Sequence, residues 1–298
     1  MKWEGGRQSD NVEDRRDDAG GGSAGGRGMG RGVAGGGIGV VLIAIAALFF
    51  GIDPSMVLGL LGGGGAQQAP APASQHAPAH RPPEGDQMAK FVSVVLADTE
   101  DTWTGLFKQS GSQYQAPKLV LFRGAVQSAC GRAEAAMGPF YCPGDRKVYI
   151  DLAFFDDLQR RFHAPGEFAR AYVVAHEVGH HVQNLLGIAD KVDAQRKRVS
   201  EAEYSKLSVR MELQADCLAG IWAHHANRTR HILEGGDVEA AMTAATAIGD
   251  DRLQQQSRGY VTPESFTHGS SAQRVRWFRR GLDSGQINQC NTFQAREL

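Results

Sequence analysis

The stretch AYVVAHEVGHHVQN, residues 171–184, restricts this chain more than any other. Its alanines and valines have the spacing of a packed helix, yet three imidazoles and a carboxylate are set among them. On a helix, positions four apart share a face, so His176 and His180 project together, with Glu177 beside the first. Two imidazole nitrogens on one face can hold a single metal ion. His181 points about 100° away around the helix and is a poor third partner for the same ion.

This is the H-E-x-x-H arrangement, in which zinc acidifies a water and the glutamate takes its proton. Such a site wants three protein ligands and one open position, so another donor must come from elsewhere in the chain. In MELQADCLAG the candidate is Glu212, on a later predicted helix and flanked by small and apolar residues. Asp216, four residues on, is placed to accept the other ring N–H of a ligating histidine and fix its tautomer. The metzincin pattern would need glycine at 183 and histidine at 186, where this chain has Gln183 and Leu186. His224 and His225 read as surface or packing residues. Amide hydrolysis builds an oxyanion, and TPESFTHGSSAQRVRWF offers His268 and Arg274 to stabilise it.

The remainder of the chain divides by composition. Residues 1–31 mix charge with a glycine-rich run and read as a flexible tail. GVAGGGIGVVLIAIAALFFGI, residues 32–52, is uncharged and long enough to cross a bilayer as a helix. Arg27 and Arg31 precede it, and no Lys or Arg follows until Arg81, so the positive-inside bias puts the N-terminus in the cytoplasm. Residues 53–86, rich in Gly, Pro and Ala, read as a spacer. The expectation is a single-pass protein of the bacterial inner membrane, with residues 87–298 as an extracytoplasmic domain.

In that domain DQMAKFVSVVLADTEDTWTGLFKQSG predicts an amphipathic helix bent around Asp98–Asp101. KLVLF and FYCPGDRKVYI predict a small antiparallel sheet, and almost everything after Asp151 predicts helix. The fold class expected is therefore α+β, mostly helical, preceded by one transmembrane helix. Lys and Arg total 32 against 33 Asp and Glu, a net charge of −1, so no overall basic field draws the protein to nucleic acid. The four cysteines form no C-x-x-C pair. In an oxidising compartment Cys130 can pair with Cys142 across the residues before the turn, and Cys217 with Cys290; the other reading is four reduced thiols.

Several separate blocks in order resemble the bacterial putative neutral zinc metallopeptidase family: MKWEGGRQSDNVEDRR, CGRAEAAMGPFYCPGDRKVYIDL, HEVGHHVQ, ELQADCLAG and THGSSAQR. The resemblance implies a zincin-like fold and a zinc-dependent peptidase acting on a protein or peptide, with His176 and His180 as ligands and Glu177 as base. Glu212 and Asp216 match the later-helix pattern of the broader gluzincins. THGSS is similar to the His-Pro-Ser segment of membrane-associated gluzincins, with Gly269 in place of the proline. In zincins the substrate commonly lies along an edge strand, and the FYCPGDRKVYI hairpin is similarly placed. The competing reading is a membrane-anchored binding or regulatory protein that keeps the metal site and cuts nothing.

Overall fold

Asp86 starts the first long helix by accepting hydrogen bonds from the backbone N–H groups of Met88 and Ala89, the capping role that short acidic side chains favour. This helix, α1 (Gln87–Gln109), buries Phe91, Val92, Val95, Trp103 and Phe107. It runs unbroken through Asp98–Asp101, where a bend was expected, because the acidic groups there have partners. Asp98 accepts from Trp222 Nε1 at 2.6 Å and from Arg230, and the buried Glu100 accepts from Ser9, Asn11 and Arg7.

The computed structural model describes residues 1–18 and 81–298, which fall in one unit. Within them, Val12–Asp14 forms β1, Lys118–Phe122 β2, Ala125–Ser128 β3, Gly131–Glu134 β4, Phe140–Cys142 β5 and Lys147–Asp151 β6. The main sheet has the order β1-β2-β6-β5. Strands β1, β2 and β6 are parallel, and β5 returns antiparallel to β6 as the predicted hairpin. Strands β3 and β4 make a separate antiparallel pair. The expected small antiparallel sheet is thus corrected to a mixed one. Strands β2 and β6 are almost wholly buried, with helices packed against them, and that environment suits parallel pairing.

A second correction concerns the N-terminus. Residues 1–18 are not a flexible tail: Val12, Glu13 and Asp14 pair in register with Leu119, Val120 and Leu121. Lys147 and Lys118 hold Glu13, and Arg16 ties Asp14 to the capping residue Asp86. The expected single-pass anchor goes with this correction. Among the described residues no helix is long and apolar enough to cross a membrane, and the run at 32–52 lies outside them, as does most of the expected spacer. One crossing between residues 18 and 81 would place β1 and β2 on opposite sides of a bilayer, whereas their backbone pairing puts them on the same side. The inner-membrane, cytoplasmic N-terminus topology is therefore withdrawn.

The Glu13 contacts carry a pH prediction. Burial would raise its carboxyl pKa, but hydrogen bonds from Lys147 and Lys118 outweigh that and lower it from 4.5 to about 2. A depressed folded-state pKa contributes stability that is complete above pH 4.5 and is lost as pH falls toward 2. In thermal melts against pH, Glu13→Gln should remove part of the acid-induced fall of the wild-type midpoint in that window. Parallel curves for the two proteins would refute this.

Helices α2 (Ala153–Arg160), α3 (Glu167–Leu185), α4 (Ile188–Asp193), α5 (Glu201–Arg230), α6 (Asp237–Ala247), α7 (Asp250–Arg258) and α8 (Ser271–Ser284) complete the described chain. Ser200 and Glu203 form a reciprocal capping box at the start of α5, and Ser270 and Gln273 do the same for α8. Helices α3 and α5 cross at Gly179. A Cβ there would stand 2.9 Å from the Ala215 carbonyl oxygen, closer than side chains tolerate. That glycine lets α5 approach near enough for its carboxylates to meet the histidines of α3. Both expected cysteine pairs lie at disulfide distance, Cys130 with Cys142 and Cys217 with Cys290. The second spans 73 residues and holds the C-terminal segment on α5, a closure worth about 4 kcal/mol by loop entropy.

Candidate metal centre

Helix α3 presents His176 and His180 one turn apart, and α5 supplies Glu212 opposite them. Glu212 Oε2 lies 3.2 Å from His176 Nε2, and Oε1 lies 3.4 Å from His180 Nε2. The three donor atoms fall within 4.8 Å of one another, close enough to share one metal ion. His181 points away from this group, as its helical position requires.

Each imidazole is oriented by a hydrogen bond on its other nitrogen, the support expected of metal ligands. His176 Nδ1 is 2.9 Å from Asp216 Oδ1, and His180 Nδ1 is 2.9 Å from Gln183 Oε1. Because carboxylate and amide oxygens only accept, both rings carry the proton on Nδ1 and turn Nε2 toward Glu212. Gln183 is held by its own amide, which donates to the Met211 carbonyl and to Gln214 Oε1. Gln214 then donates to the Cys290 carbonyl, so the Cys217–Cys290 bridge braces the orientation of His180.

Asp216 is fully buried and accepts three hydrogen bonds from two other side chains besides His176. Tyr172 Oη donates to Oδ1 at 2.5 Å, and Arg274 donates through Nε to Oδ2 at 3.0 Å and through Nη2 to Oδ1 at 2.9 Å. Arg274 is itself 2% exposed, and its Nη1 stands 4.0 Å from Glu212 Oε2. Its guanidinium is thus committed mainly to Asp216.

The electrostatics favour a cation in this site. Burial opposes charging of His176, but Asp216 and Glu212 outweigh it and raise the pKa to about 10. Burial would likewise raise the Glu212 carboxyl, yet His180 and His176 hold it well below the ordinary glutamate range. Two imidazoles that gather protons around an ionised carboxylate form a donor set that a divalent metal ion fits. Glu177 differs. Burial raises its pKa despite the neighbouring histidines, so it is the most easily protonated carboxylate of the group.

His176, Glu177, His180, Glu212 and Arg274 wall a cleft of about 600 Å³ that also takes in Tyr141, Phe154, Phe162 and His268. His268 reaches it from the loop before α8. Burial disfavours its charged form, but its hydrogen bond to the Asp250 carboxylate and the charge of Glu212 raise its pKa overall. Asp250 Oδ2 accepts the backbone N–H groups of Thr267, His268 and Gly269 at 2.7, 2.6 and 3.0 Å, while Oδ1 lies 3.2 Å from His268 Nδ1. Gly269 has φ +87°. Proline there would lack both that N–H and that dihedral, so the loop is built around Asp250 instead.

Six of the seven predicted site residues therefore line one cleft, His176, Glu177, His180 and Glu212 from two helices and His268 and Arg274 around α8, while Asp216 lies buried behind His176. His224 and His225 bond the Leu282 and Gly285 carbonyls at the end of α8, away from the centre. Sequence reasoning missed Tyr172, Gln183 and Asp250. Tyr172 and Gln183 sit four before His176 and three after His180, so helical spacing could have found them. Asp250 meets His268 only through a loop, and no periodicity marks it.

A family model described as putative neutral zinc metallopeptidase matches residues 1–293. The chain is 51% identical over 293 residues to Uncharacterized protein YpfJ of Escherichia coli (strain K12), covering 98% of this chain and 99% of that one. It is 38% identical over 266 residues to Uncharacterized protein Rv2575 of Mycobacterium tuberculosis, covering 85% of this chain and 86% of that protein. No solved structure matches it.

Proposed function

Because the chain belongs to the putative neutral zinc metallopeptidase family, we propose that it is a zinc-dependent endopeptidase that hydrolyses peptide bonds in this cleft. The observation that carries the proposal is the facing of both Nε2 atoms on the Glu212 carboxylate, with Glu177 in the same cleft wall. A site built only to hold metal for stability has no use for an unligated, buried carboxylate beside it.

His176, His180 and Glu212 would hold the zinc, which when bound supplies Lewis acidity toward the attacking water and the scissile carbonyl. Glu177 takes the proton of the attacking water and passes it to the leaving amine. His268, aimed by Asp250, donates toward the developing oxyanion. Arg274 acts through Asp216 and keeps His176 in the tautomer that offers Nε2. The peptide lies along β5, where it can add as a further strand.

The test is zinc content and cleavage of a peptide library by the purified full chain, before and after chelation. Zinc near one per chain and cleavage lost on chelation are expected; stoichiometric zinc without turnover would favour the binding-protein reading. Glu212→Ala should lower zinc retention against a competing chelator, since it removes one of three ligands. Unchanged retention would remove Glu212 from the ligand set.

A further inference from the structure

The third histidine of HEVGHH has no part in the metal centre, yet it is 1% exposed and both its ring nitrogens are engaged. His181 Nε2 lies 2.6 Å from the Gln115 carbonyl oxygen, which can only accept, so Nε2 carries the proton. Its Nδ1 lies 3.0 Å from Tyr141 Oη, and Asn184 Nδ2 donates to that same hydroxyl at 3.0 Å. The bonds therefore run in one sense, from Asn184 to Tyr141 to His181 and from His181 to Gln115. The Gln115 side chain in turn accepts from Arg146 Nη1 at 3.0 Å, and Arg146 lies in the turn between β5 and β6. This closes a ring from the metal helix to the hairpin and back.

Tyr141 is the middle residue of β5, whose only sheet partner among the described residues is β6. Side chains alternate along a strand. Phe140 stacks on Tyr149 at 4.8 Å and Cys142 is buried in the same small cluster, so Tyr141 faces the opposite way, toward α3. Without its hydroxyl the edge strand would keep its sheet partner and lose its hydrogen bonds to the helix that carries the metal ligands.

We infer that His181 is a positioning residue, which through Tyr141 sets the distance between the substrate-bearing edge of β5 and the ligands His176 and His180. The inference rests on the peptidase reading for the location of the substrate, but its test needs no turnover. In full-length, zinc-loaded protein carrying Glu177→Gln, affinity for a fluorescent apolar peptide is measured with Tyr141→Phe, His181→Ala, both together, and His181→Asn, whose amide oxygen can still accept from Tyr141. Tyr141→Phe and His181→Ala should each weaken binding about tenfold with zinc content unchanged. The pair should lose little more than the larger single effect, because the two share one bond, and His181→Asn should recover part of the loss.

Peptide affinity unmoved by Tyr141→Phe, whatever happens to the melting temperature, would overturn the inference, as would loss of zinc in place of peptide or a failure of the Glu177→Gln protein to bind any peptide. A wild-type chain that binds peptides in this way and never cleaves them would defeat the peptidase reading and leave the positioning role standing.

Discussion

Glu177→Gln should leave zinc content unchanged and lower peptide hydrolysis by about 10²–10⁴-fold, the usual contribution of a general base. The amide preserves the volume of a side chain that is 7% exposed, so the packing of α3 and the facing of the two histidines on Glu212 should persist. It cannot accept a proton. The effect should fall on kcat, because the proton moves only in the reacting complex. Metal analysis beside steady-state kinetics checks it. Hydrolysis within tenfold of wild type would assign the base to another group, and zinc loss would place Glu177 among the ligands.

The largest stability effect should come from Arg274→Ala. Asp216 is wholly buried, and burial alone would raise its carboxyl pKa; Arg274 and His176 outweigh that and keep it ionised. Without the guanidinium, the carboxylate keeps only Tyr172 and the His176 ring as donors. Removing one member of a buried pair typically costs about 3–5 kcal/mol, since the charge left behind is neither solvated nor compensated. The same loss frees the His176 tautomer, so metal affinity should fall by about 10–100-fold. Arg274→Lys should recover only part of either quantity, because an ammonium cannot reproduce the two parallel bonds to Asp216. Denaturant unfolding and chelator competition provide the two measurements. Wild-type stability with activity alone reduced would restore Arg274 to the role of oxyanion donor.

The chemistry of the centre was legible because its parts are local. Two histidines one helical turn apart, a carboxylate beside the first, and a Glu–Asp pair four apart each need only the period of a single helix. Tyr172 and Gln183 obey the same period and went unread, since tyrosine and glutamine on a packed helix usually signal packing. The reading of residues 1–18 failed for a different cause. Their apolar content is too low to suggest a packed element, and they gain order from an acceptor edge on β2 and from Glu100, Lys118, Lys147 and Asp86 far along the chain.

By itself, then, the sequence marked the helix with its two facing histidines, the Glu–Asp pair of the later helix and the hairpin, and it offered the two cysteine pairs beside a reading of four reduced thiols. Each of these rests on spacing within one element or on the chemistry of a residue type. Only the tertiary structure decided that β1 closes the sheet, that Arg274 serves Asp216, that Asp250 aims His268 and that His181 holds Tyr141. Those pairings join groups from different elements, where close packing of helices and strands, and no local period, sets which side chains meet.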